Sequence, residues 1–69
     1  MLNERQRRFL EKAEIGGRFT SQDYGSRVGG DVSGKTVRND LAELTRAGWI
    51  ERFGSSRSTY YEVRQTLTD

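Results

Sequence analysis

Sixty-nine residues, 32% of them hydrophobic, can close one modest core, and a chain of this length is marginal unless a metal, disulfides or a partner helps. Cysteine and histidine are both absent, which excludes disulfides, thiol nucleophiles, imidazole bases and structural zinc of the usual kind. Twelve Lys and Arg against ten Asp and Glu leave a net charge of +2, so affinity for a polyanion has to come from where the cations sit.

The first helix opens at Asn3, where Gln6 three residues on completes a capping-box pattern and Glu4 suits the positive helix end. Phe9, Leu10 and Ala13 mark its buried stripe. Ile15, Gly16, Gly17 and Arg18 end it, and Phe19 is expected as a short extended residue pinned to the core. Thr20 with Asp23 is a second cap signature, opening a short helix to Val28 with Tyr24 and Val28 inward. Gly25 inside that helix costs about 1 kcal/mol relative to alanine, so the helix depends on packing. Gly29, Gly30, Asp31 and Val32 then form a turn.

Residues 29 to 36 read GGDVSGKT and fit two templates. Gly29, Gly34, Lys35 and Thr36 have the spacing of a phosphate-cradling P-loop. That loop needs a buried strand leading into it, and Ser21 to Val28 is neither an apolar run nor an alternating one. In the other template Ser33 caps a third helix, running to about Ala47, in which Val37, Leu41 and Leu44 stack on one face. Lys35, Asn39, Ala42 and Arg46 point away from that stripe and Arg38 lies on its flank. The second template fits the flanking residues, and no nucleotide is expected. Gly48 stops the helix. Trp49 to Phe53 and Thr59 to Arg64 read as two strands joined by a turn from Gly54 to Arg57, and Gln65 to Asp69 as a frayed tail.

The cations cluster at Arg5, Arg7 and Arg8, at Lys35 and Arg38, and at Arg52 and Arg57, with no acid between Arg52 and Tyr61. This distribution suggests a polyanion footprint. The plainer alternative for Arg38 is an ion pair with Asp40 or Glu51. Tyr60 and Tyr61 are expected to pack the hairpin rather than stack on bases.

Two short helices joined by a glycine-containing turn, the second with a basic outer face, have the order of a helix-turn-helix, and the hairpin after them adds a wing. The stretches LNERQRRFLE, FTSQDY, VSGKTVRNDLAEL, AGWIERFG and GSSRSTYY resemble the winged helix-turn-helix of DeoR-type regulators. They are also similar to the winged-helix modules at the C-terminal ends of Fic-family and RecG-like proteins. The resemblance implies a small α+β fold of three helices followed by a β-hairpin wing, one domain over 1–69 with its ordered part at about 3–64. It implies that Lys35, Thr36, Arg38 and Asn39 meet double-stranded DNA and that Arg57 lies on the wing. Within that frame Arg38 and Asn39 are expected at base edges, and Ser33, Lys35, Thr36 and Arg57 on the backbone. The expected function is transcriptional regulation, with a homodimer or further domains of a larger polypeptide as partners. The alternative is a docking module inside a larger Fic-like or ATPase protein. No catalytic residues, metal ligands or cofactor are expected, because no base and nucleophile converge. No apolar run approaches the length of a transmembrane helix and no charged-then-apolar leader is expected, so the protein is placed in the cytoplasm and off the membrane.

Overall fold

Each helix begins at the cap its sequence carries. The computed structural model describes residues 1–29, 31–55 and 57–67, and its elements follow in the order α1 (Glu4–Lys12), β1 (Arg18–Phe19), α2 (Ser21–Val28), α3 (Gly34–Arg46), β2 (Ile50–Phe53) and β3 (Tyr60–Val63). Before α1 the Gln6 amide donates to Asn3 Oδ1 and the Asn3 amide to Gln6 Oε1, both at 2.8 Å. Before α2 the Asp23 amide donates to Thr20 Oγ1 at 3.1 Å, and the Thr20 amide donates back to the Asp23 carboxylate at 2.9 Å. That backbone bond holds the Asp23 carboxyl below its ordinary range. Two orphan donors are satisfied reciprocally at each start, so both helices begin where the pattern requires. Ser33 caps α3 alone, accepting from the Thr36 amide.

The helices and strands bury Phe9, Leu10, Phe19, Tyr24, Val28, Val37, Leu41, Leu44, Ile50 and Val63 in a single cluster. Phe9 sits at its centre, its ring tilted against Phe19 at 4.7 Å and against Tyr24 at 5.0 Å. Val37, Leu41 and Leu44 are the inward stripe that the spacing predicts, and Lys35, Arg38, Asn39, Ala42 and Arg46 are all exposed. Ala13 packs against the core half-buried and serves as the C-cap of α1.

The hairpin belongs to a three-stranded antiparallel sheet in the order β1-β3-β2. β1 pairs Arg18 with Glu62 and Phe19 with Tyr61, so the extended residue pinned to the core is part of a ladder. Two residues are too few to carry an alternating pattern, so the sequence marks Phe19 as extended but gives no sign of its pairing with β3. Trp49 lies outside β2 but accepts hydrogen bonds from the Arg64 and Gln65 amides. Tyr60 stacks on Phe53 at 5.5 Å and Tyr61 on Phe19 at 5.4 Å, which is the packing role expected of them.

The structure sets aside one alternative and corrects one expectation. Asp40 is 2% exposed and receives Arg5 Nε at 2.8 Å, Asn3 Nδ2 at 2.9 Å and the Tyr24 hydroxyl at 3.0 Å, so it pairs with Arg5 and not with Arg38. The Gln6 amide donates to the Asp40 carbonyl oxygen at 3.0 Å, tying α1 to the backbone of α3. Burial by itself would raise the Asp40 carboxyl, but the hydrogen bonds from Arg5, Asn3 and Tyr24 outweigh it and hold the group below the usual carboxylate range. Burial, with the bond to Asp40 adding to it, pushes the Tyr24 hydroxyl up. The tail does not fray at Gln65: the Leu67 amide bonds to the Leu10 carbonyl and Leu67 packs against the core, because the open end of α1 offers both an acceptor and apolar surface. Thr68 and Asp69, the rest of that tail, lie outside the described residues.

Candidate nucleic-acid interface

α3 presents an outer face whose cations make no ion pair among the described residues. Asp40 is its one acid in the first two turns, and that carboxylate is turned inward to Arg5. Glu51, the other acid within reach of Arg38 in the sequence reading, pairs with Arg64 at 3.4 Å. Among the described residues, Lys35, Arg38, Arg46, Arg52 and Arg57 make no ion pair, and all five are exposed. The cations of α1 differ. Arg5 is committed to Asp40 and Arg8 to Glu4, so the N-terminal cluster contributes little beyond Arg7 to a polyanion footprint.

At the start of α3, Ser33 Oγ donates to Thr36 Oγ1 at 3.0 Å while accepting from the Thr36 amide at 3.2 Å. The Ser33 hydroxyl proton is thereby spent on the cap, and the Thr36 hydroxyl keeps its own for another acceptor. The amides of Gly34 and Lys35 have no partner within the helix, as at any helix start, and Lys35 adds a full charge to that positive end. α1 and α2 carry an acid in the first turn, Glu4 and Asp23, whereas α3 carries none. α2, not a strand, precedes the GGDVSGKT octet, which removes the support a P-loop requires.

Of the six candidate residues, Ser33 and Thr36 are brought into contact, Lys35, Arg38 and Asn39 line the exposed side of the same helix, and Arg57 is exposed on the hairpin turn. Gly30 in the first turn and Ser56 in the wing lie outside the described residues. The reading of the sequence missed Arg46 and Arg52 as members of the set. Arg38, Arg46 and Arg52 line one cleft between α3 and the hairpin. Arg46 lies two i to i+4 steps from Arg38, a spacing the sequence displays, but the meeting with Arg52 needs the fold.

Residues 30–56 match the family model described as the DeoR-like helix-turn-helix domain. The chain is a winged helix-turn-helix DNA-binding domain, similar to the DeoR-like one. The matched stretch takes in α3 and β2 with every candidate residue except Arg57, which lies one position beyond it. Comparison with curated proteins and with solved structures gives no match. A winged helix-turn-helix of this kind is a fold of transcription regulation, and no helix in the described residues is long and apolar enough to cross a membrane.

Proposed function

We propose that this winged helix domain binds double-stranded DNA to regulate transcription, with α3 in the major groove and the wing on the backbone or in the minor groove. The observation that carries this reading is the set of five exposed cations, divided between α3 and the hairpin, that make no ion pair among the described residues. A surface serving only solubility gains from interspersed acids, and this face lacks them.

Arg38 and Asn39 are the base readers. An arginine fork matches the O6 and N7 acceptors of guanine, and an asparagine amide matches N6 and N7 of adenine. Lys35, Thr36 and Arg57 hold phosphates, and Ser33 acts mainly by fixing the helix start at which they meet the backbone. The domain performs no chemistry of its own. It works in the cytoplasm on DNA, and two copies joined through a dimer supply the affinity that one small module lacks. Docking inside a larger Fic-like or ATPase protein is the competing reading.

Titrating random and selected duplexes over a salt series tests this. Log affinity falls linearly with log salt, by about 0.9 per phosphate contacted. Lys35→Ala and Arg57→Ala each lower that slope by about one and weaken all sequences alike, whereas Arg38→Ala costs about 1–3 kcal/mol mainly on the preferred sequence. Absence of binding at low salt, or three variants indistinguishable from the parent, would leave docking as the better reading.

A further inference from the structure

Between α3 and the hairpin lies a cleft of about 420 Å³ lined by Arg38, Ala42, Thr45, Arg46, Arg52 and Tyr61. Its two walls come from elements that meet for a packing reason, and its charge is not explained by packing. On α3, Arg38, Ala42 and Arg46 follow one another at i, i+4 and i+8, so the Cα atoms of the two arginines are about 12 Å apart along the axis with a methyl side chain between them. Ala42 keeps the floor low where a longer side chain would fill it. The Thr45 hydroxyl proton is turned away, donating to the Leu41 carbonyl at 2.8 Å.

The opposite wall is set by strand register. β2 and β3 pair Ile50 with Val63 and Arg52 with Tyr61, and alternate residues of a strand share a face. Ile50 and Val63 are each 2% exposed, so Arg52 continues the core-facing row beyond the point where the core ends. The outer face of the sheet holds Glu51 and Glu62 with Arg18 and Arg64 paired to them. The acids are thus segregated to the outside, and the inward arginine has none. The cleft beside α1 and β1 is mixed: Arg8 and Arg18 on its lining are paired to Glu4 and Glu62 and Glu14 lines it too, while Lys12 and Arg27 there make no ion pair among the described residues.

We infer that this cleft is a seat for a DNA backbone phosphate, held by Arg46 from α3 and Arg52 from β2, that fixes the angle between the helix in its groove and the wing. This rests on the DNA-binding reading above and extends it to two residues and one defined contact. A backbone phosphate presents two non-bridging oxygens that the planar arginine fork meets bidentately, and two arginines on different elements define its position more tightly than one. Because Arg46 and Arg52 act on phosphate, they position without reading sequence. An inward charge on an edge strand also discourages strand pairing between molecules, and β2 is an edge strand. That role needs a charge but no DNA.

The experiment is a salt-series titration of duplex DNA with the parent, Arg46→Gln, Arg52→Gln, Arg52→Lys and Lys12→Gln, each checked for a parent-like unfolding midpoint and for monodispersity. Lys12 is exposed at the far end of α1 and controls for the loss of one unit of charge. The expected result is that Arg46→Gln and Arg52→Gln each lower the slope by about one on random and selected duplexes equally, while Lys12→Gln leaves it unchanged and Arg52→Lys retains most of it. If the parent binds and the two glutamine variants keep its slope, or lose affinity for the preferred sequence alone, the phosphate seat is wrong and the DNA-binding reading stands. If the parent itself does not bind, both are wrong.

Discussion

Replacing Asp40 by alanine would leave the buried Tyr24 hydroxyl and the Asn3 side-chain amide without their acceptor, and would release Arg5 to solvent. Loss of one member of such a network costs about 3 kcal/mol, read as a fall in unfolding free energy by chemical denaturation. The pH dependence follows from the direction of the shift. Asp40 is held below its ordinary value in the folded protein, so its contribution is complete above the unfolded value near 4 and is lost as pH falls through the lower folded value. Asp23 is shifted in the same direction and acts in the same window. Thermal unfolding followed from pH 7 to pH 2 will show a steep acid limb in the parent and a shallower one in Asp40→Asn, which has no proton to take up there. Equal limbs would contradict the assignment. Asp40 was open to detection in the sequence, since 37, 40, 41 and 44 form one helical stripe and an aspartate in such a stripe demands partners. Its partners were not, because Asn3, Arg5 and Gln6 lie more than thirty residues away and nothing local links them to it.

At the scale of elements, caps were the most readable feature because a cap is a local bond between residues three apart, and all three helix starts follow it. Phe19 was readable as an extended core residue but its pairing was not: a two-residue strand is specified by the partner it finds, here Tyr61 and Glu62, and not by its own pattern. The phase assigned to α3 gives a direct test. Leu41→Ala removes a side chain 1% exposed and is expected to cost about 2–5 kcal/mol, whereas Arg46→Ala, exposed and without an ion pair, should change stability little. Similar denaturation midpoints for the two would show the phase to be wrong. α2 offers a gain. A methyl group at Gly25 would meet Val37 Cγ2 at 3.5 Å, an ordinary contact, so Gly25→Ala should raise stability by up to about 1 kcal/mol in the same assay. The wing turn permits no such change, since Gly54 has φ 85° and a Cβ there would overlap the Ser58 carbonyl oxygen. Gly54→Ala is expected to displace the wing and weaken DNA binding while leaving the helices intact by circular dichroism.

Across the whole molecule, charge is sorted by face. Asp40 is used inward with Arg5, Glu43 accepts from the Gln6 side chain, and Glu51 and Glu62 pair with Arg64 on the outer sheet face, while five of the eight cations left without an ion pair among the described residues lie on α3 and the hairpin. A net charge of +2 concealed this, because the total does not record which cations are already paired. The helix order, the core stripe and the outward Lys35, Arg38 and Asn39 could be read from spacing, whereas the joining of Arg38, Arg46 and Arg52 around one cleft depends on how the hairpin folds back against α3. The measurement that bears most directly on the central claim is a nuclear magnetic resonance titration of the isotopically labelled chain with duplex DNA, followed residue by residue. Amide shifts should concentrate at residues 33–46 and on the hairpin from Arg52 to Tyr61, and leave Glu11 and Ile15 unmoved. Saturating DNA that moves none of the α3 amides, or moves chiefly those of α1, would contradict it.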